Sequence, residues 1–116
     1  MTYSEMVRKI QTAGTWFVGS FMGEILLHYS ECCDDVEKKV SFIDYMHKEY
    51  GEALEYTYDT TKTKCYAVFS IIKEQKVVEA LDYVLQSNDK KTFDGGKENA
   101  QAVLDSIRDG KYKLPY

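Results

Sequence analysis

Apolar residues recur at alternating steps of three and four along three long stretches of this chain, the spacing that gathers side chains on one stripe of an α-helix. In the first stretch Val7, Ile10, Gly14, Phe17, Phe21, Glu24 and His28 fall on one line, and Thr2 with Glu5 has the spacing of a capping box at its start. The second begins near Asp34, a candidate N-cap with Glu37 three positions on, and runs through Val36, Val40, Ile43, His47, Tyr50 and Leu54. The third carries Ala67, Ile71, Glu74, Val78, Leu81 and Leu85, flanked by Val68, Ile72, Val77 and Val84. A shorter fourth stretch, Ala100, Val103, Leu104 and Ile107, sits between Gly95-Gly96 and Gly110.

Polar interruptions at 30–35 and 57–64 separate the long stretches, and short connections make consecutive helices antiparallel neighbours. The pattern predicts an all-α fold, an antiparallel bundle of three long helices plus a short C-terminal helix, with residues 1–116 as a single helical domain and 111–116 as an extended tail after Gly110. A competing α+β reading places a hairpin around residues 54–72, where tyrosine, threonine and β-branched residues surround Asp59-Thr60-Thr61. The helical phase from Ala67 to Leu85 favours the helix, and the one proline, Pro115, lies too late to interrupt any of the stretches.

Composition adds size and charge to this pattern. The chain has 116 residues, 44% of them hydrophobic and 29% charged, which suits one folded domain rather than a disordered chain. Fifteen bases against nineteen acids give a net charge of −4, and the bases are scattered, so direct nucleic-acid binding is not favoured. The apolar run 13–27 falls short of the ~20 residues that span a bilayer, contains Glu24 and is diluted by glycine, so it is read as part of the fold with no membrane role. Three cysteines, with Cys32 and Cys33 adjacent, make a poor disulfide framework and point to a reducing cytoplasm.

The acids gather better than the bases, and Glu49, Glu52, Glu55 and Asp59 alternate with three of the ten tyrosines, Tyr50, Tyr56 and Tyr58. Tyrosine brings large contact area with few rotatable bonds, so Glu49, Glu52, Glu55, Tyr56, Tyr58 and Asp59 form a candidate surface for a protein partner with a basic face. A non-enzymatic acidic interaction protein is the leading expectation. One concrete form is an inhibitor or adaptor of a basic nucleic-acid-handling protein, of the anti-defence kind found on phages and mobile elements. Thr15, Trp16, Gly19 and Gly23 form a small-residue notch on the first helix, a place for close helix approach and a candidate for self-association as a homodimer.

Candidate metal ligands are sparse. Glu24 and His28 lie one turn apart, as do Asp44 and His47, but a turn near residue 32 separates the two histidines by about 16 Å along the bundle. Asp44, His47 and Glu74 come closer if the second turn falls near residue 59. His28 with Cys32 and Cys33 offers too few ligands for a closed site, and the two cysteines are read as small residues at a helix end. Glu49-Tyr50-Gly51-Glu52-Ala53 and Glu79-Ala80-Leu81-Asp82-Tyr83 resemble the paired acidic motifs of the MazG-like all-α nucleotide pyrophosphohydrolases. The resemblance covers about a third of the chain. It implies the alternative function, a Mg²⁺-dependent hydrolase with Glu49, Glu52, Glu79 and Asp82 as metal ligands, since carboxylates on facing helices can hold Mg²⁺ and leave room for substrate phosphates.

Overall fold

The computed structural model describes residues 1–32 and 35–116, and among these every regular element is helical. In chain order they are α1 (Tyr3–Ala13), α2 (Thr15–Cys32), α3 (Val36–Met46), a π turn (His47–Gly51), α4 (Tyr58–Lys73), α5 (Val77–Leu85), a 3-10 turn (Lys90–Phe93) and α6 (Gly96–Arg108). Two of the three expected long helices are therefore each divided in two.

The first begins as expected, with the Thr2 hydroxyl accepting from the Glu5 amide and the Glu5 carboxylate accepting from the Thr2 amide. It breaks at Gly14, whose φ of 91° and ψ of 139° lie outside helical geometry, so α1 and α2 take different directions. The C-terminal end of α1 is closed from another helix: the Lys64 ammonium donates to the carbonyl of the buried Ala13 at 2.6 Å. A cation at the negative end of a helix is a favourable placement.

Asp34 lies outside the described residues, and the cap of α3 is Asp35, which accepts from the Lys38 amide. The polar run 57–64, expected as a connection, is instead the start of α4: Thr57 caps it by accepting from the Thr60 amide, and residues 58–64 are helical. The hairpin at 54–72 is replaced by this helix, and no strand occurs among the described residues. Threonine serves here as an N-cap and first-turn residue rather than as a strand former.

The expected phase from Ala67 to Leu85 is interrupted at 74–76. Gln75 has φ of 61°, its amide donates to the Ile72 carbonyl, and the Lys76 amide donates to that of Ile71. That pair of bonds is a Schellman closure with glutamine where glycine is usual. The same closure ends α6, where Gly110 (φ 77°) holds the left-handed position and the amides of Gly110 and Lys111 reach Ile107 and Ser106. Beyond it the tail folds back, with the Tyr112 hydroxyl near the Gly23 carbonyl at 3.5 Å and the Val77 amide donating to the Tyr116 hydroxyl at 3.4 Å.

The core is centred on α2, which is apolar around most of its circumference and buries Phe17, Val18, Phe21, Met22, Ile25, Leu26 and Tyr29. Its longest contact is with α6, and it also touches α1, α3, α4 and α5. No helix among the described residues is long and apolar enough to cross a membrane. Met6 and Ile10 of α1, Val68, Ile71 and Ile72 of α4, and Leu81 and Val84 of α5 complete a continuous cluster.

Gln75 occupies a left-handed conformation that costs an L-residue with a side chain ~1–2 kcal/mol. Gln75→Gly is therefore expected to raise the unfolding free energy by about 0.5–1 kcal/mol, net of glycine's greater unfolded-state entropy. Urea denaturation measures this, and a lower midpoint for the variant would show that the position carries no relievable strain.

Candidate functional site

Gly51 is buried, and a Cβ there would stand 2.5 Å from His47 Nδ1 and 2.6 Å from the Thr61 hydroxyl oxygen. Its missing side chain lets His47 Nδ1 and Thr61 Oγ1 meet in a hydrogen bond of 2.9 Å. The backbone widens at the same place, with the Glu52 amide donating to the His47 carbonyl five residues back. Glu55 then closes the turn at φ 62°, again as a Schellman motif: the Glu55 amide reaches the Glu52 carbonyl and the Tyr56 amide that of Gly51. Gly51 and Glu55 thus set the path along which the expected acidic residues stand.

Glu49, Glu52 and Glu55 are exposed on the π turn and the turn that follows it. Tyr58, at the start of α4, is 38% exposed, donates its hydroxyl to Asp44 at 2.7 Å and meets the His47 ring edge-on. That bond to a carboxylate holds the Tyr58 phenol above its ordinary pKa. Tyr56 is half-buried, with the Lys64 ammonium 5.2 Å from its ring centre, and burial raises its pKa. The Lys64 amine, half-buried beside it, is pushed down by desolvation. Asp59 faces the other way, into a polar groove between α1 and α4 lined by Lys9, Thr12, Lys62 and Thr63. The structure therefore joins Asp44 to the expected set and sends Asp59 to a different face.

The acidic and aromatic surface continues along the seam of α2 and α3, where sequence reasoning did not look for it. His28 faces Phe42, Glu24 faces Tyr45 and Phe21 faces Tyr50, the stepwise pairing of two antiparallel helices. Tyr45 is 39% exposed and donates its hydroxyl to Glu24 at 2.8 Å, which pushes its pKa up to about 12. Beside it a groove of about 500 Å³ opens between the two helices, walled by His28, Phe42 and Tyr45 with Glu31, Lys38 and Ser41 at its sides. The spacing of Glu24 and His28 was visible in the sequence as a one-turn pair, but Tyr45 stood out from the other tyrosines only once α3 was laid against α2.

The paired acidic motifs are not brought to one point. Glu79 and Asp82 stand on α5, which packs on α6, α2, α1 and α4, whereas the π turn bearing Glu49 packs on α3 and α4. The π turn precedes the start of α4 and α5 follows its end, so the sixteen residues of α4 lie between the two motifs along the chain. Among the described residues no three of histidine, cysteine, aspartate and glutamate lie close enough together to hold a metal ion. Asp44 and His47 meet Tyr58 and Thr61 at one end of α4, while Glu74 sits at its other end and pairs with the Met1 amino group at 3.4 Å. Those three residues do not converge.

The small-residue row is filled from within the chain. Gly19 and Gly23 are buried, and Cβ atoms there would run into the Gly96 backbone and into Val103 and Tyr112. Thr15 hydrogen-bonds Thr92, and the Trp16 indole donates to the Asp94 carbonyl at 2.8 Å. Cys65 is a buried free thiol, pushed up to about 12 by burial; Cys32 is buried and its Sγ donates to the His28 carbonyl at 3.3 Å, and Cys33 lies outside the described residues. In comparisons with known proteins, no family model matches the chain, nor does any curated protein or any solved structure.

The bond from Tyr45 to Glu24 exists only while the phenol is protonated. A raised pKa of this sign gives stability that is whole below the ordinary tyrosine value of ~10 and is lost as pH rises through about 12. Spectrophotometric titration should show a late-ionising tyrosine with a midpoint about 12 in the native protein and not in Tyr45→Phe. The variant should also lose less stability over that pH range. An identical late component in both proteins would assign it to another residue.

Proposed function

We propose that this protein is a non-enzymatic binding module that engages the basic face of a partner protein through the acidic, tyrosine-bearing surface formed by the π turn, the start of α4 and the α2–α3 seam. The observation that supports it most is the pinning of two exposed tyrosines by carboxylates, Tyr58 by Asp44 and Tyr45 by Glu24. A tyrosine whose hydroxyl is already held presents its ring without losing further rotamer freedom on binding, which lowers the cost of association. Around these rings Glu49, Glu52 and Glu55 stand in solvent, where their charge accelerates encounter with a basic surface and selects against acidic ones. The buried free thiol of Cys65 suits a reducing compartment. A basic nucleic-acid-handling protein, inhibited or recruited by charge mimicry, is the form of partner that best complements such a surface.

Affinity capture from the native host, followed by mass spectrometry, would identify the partner, and titration calorimetry of the purified pair would then test the surface. Wild-type affinity is expected to fall as salt rises. The double variant Glu52→Lys with Glu55→Lys should bind roughly tenfold more weakly at low salt while remaining folded by circular dichroism. Equal affinity of variant and wild type at low salt would remove this surface from the interaction.

A further inference from the structure

The groove between α2 and α3 has a composition that selects more narrowly than the general acidity of the surface. Its wall is three rings in mutual contact, with centroids of His28 and Phe42 at 5.2 Å, His28 and Tyr45 at 5.9 Å, and Phe42 and Tyr45 at 6.0 Å. The interplanar angles of 35° to 49° leave the rings tilted together as one aromatic face rather than interlocked edge to face. Carboxylates flank that face on both sides of the imidazole: Glu24 lies 3.8 Å from His28 Nε2 and Glu31 3.8 Å from His28 Nδ1. Both distances exceed hydrogen-bonding range, so Glu31 keeps its full acceptor capacity, and Glu24, whose Oε1 already accepts from Tyr45, keeps that of Oε2. The Glu31 side chain is 74% exposed and can reach that donor without unfolding anything.

An aromatic face with carboxylates at its edge is complementary to a planar cation. A guanidinium can lie flat on the rings while its N–H groups fork toward the carboxylates, and an ammonium, a compact hydrated point charge, gains much less from the same arrangement. Leu27 lies between Glu24 and Glu31 on the same face of α2 and is 58% exposed, which offers apolar contact to the chain that carries the cation and argues for a protein segment over a free small cation. Lys38 stands on the groove's rim as the one lysine or arginine among its described lining residues.

We infer that this groove receives an arginine side chain of the partner protein, stacked on Tyr45 and His28 and paired with Glu31 and Glu24. The inference rests on the basic-partner reading above and names the residue type that the partner presents. Asp35, which caps α3 and whose amide donates to the Cys32 carbonyl, adds a further negative charge at this end of the seam.

The test uses the full chain and two synthetic peptides of equal length and charge, a glycine–serine segment bearing three arginines and its three-lysine counterpart. Binding is followed by the aromatic ring resonances of the protein in solution at moderate salt. The arginine peptide should bind roughly threefold to tenfold tighter than the lysine peptide, with the largest shifts at His28, Phe42 and Tyr45. Glu31→Lys should weaken it and Lys38→Glu should tighten it, each by about threefold or more, and Tyr45→Ala should abolish the preference for arginine. Glu31 and Lys38 are rim residues whose exchange leaves the core intact, so these two variants report even if Tyr45→Ala is destabilised. Equal binding of the two peptides, or opposite-charge exchanges at positions 31 and 38 that change nothing, would overturn the inference. Glu52→Lys with Glu55→Lys serves as the separating arm. If that variant alone weakens both peptides, the arginine groove fails while the broader acidic surface stands. If neither wild type nor any variant binds either peptide, both fail together.

Discussion

The structure depends on the need to surround α2. From Phe17 to Tyr29 this helix places Phe17, Val18, Phe21, Met22, Ile25, Leu26 and Tyr29 in the interior, so its neighbours must cover it on almost every side. Gly19 and Gly23 decide how. With no Cβ at either position, α6 approaches until the Gly96 backbone sits directly over Gly19 and Val103 over Gly23, and Tyr112 of the tail reaches the same row. A methyl at Gly19 would force the two backbones apart, an overpacking of the kind that costs ~1–3 kcal/mol. With α6 on one flank and α3 on the other, the strip left to water on α2 is narrow and carries Glu24, Leu27 and Glu31. The α2 part of the candidate surface is the side of this most buried helix that its neighbours leave uncovered.

The turns that make this enclosure possible are alike in mechanism. At Glu55, Gln75 and Gly110 the chain leaves a helical turn through a left-handed residue, and the amides of that residue and the next satisfy carbonyls that the helix abandons. Each closure redirects the chain within two residues and leaves no long loop to be ordered. Two of the three use side chains that resist the conformation, and both of those stand at junctions between elements: Glu55 follows the π turn, and Gln75 separates α4 from α5. At Glu55 the unfavourable conformation aims an acidic residue into solvent beside Tyr56, so the strain lies within the proposed binding surface.

Helical class and the identity of most core positions were legible in the sequence because a stripe at steps of three and four survives a change of direction. Ile10 and Phe17 remain in one core on either side of Gly14, and Ile72 and Val77 remain in one core on either side of Gln75. Periodicity alone therefore joined α1 to α2 and α4 to α5. Gly14 was a weak stop signal among neighbouring glycines at 19 and 23 that lie inside a helix, and Gln75 carried no signal, since glutamine is an ordinary helix former. The tyrosine and threonine content of 54–72 resembled a hairpin because both residues favour strands, yet Thr57 spends its hydroxyl on a cap and Tyr58 on Asp44. The acidic half of the candidate site was readable from local clustering. Tyr45, its bond to Glu24 and the groove were not, because each depends on which residue of α3 faces which residue of α2.

The carboxylates of this surface divide into two kinds, and the division bears on how it could work. Asp44 and Glu24 already accept hydroxyls from Tyr58 and Tyr45, so they hold the rings of one helix against the next and tie α4 to α3 and α3 to α2. Glu49 and Glu52 project into solvent beside those tied positions. Removing a carboxylate of the first kind releases a tyrosine as well as a charge, and the released ring must be ordered again on binding. Removing one of the second kind changes long-range attraction and leaves the contact surface as it was. Losses at Asp44 and Glu24 should accordingly show mainly in the dissociation rate, and losses at Glu49 and Glu52 in the association rate and its dependence on salt. Such a separation is what a preorganised surface produces; a loosely ordered acidic patch would mix the two kinetic effects at every position.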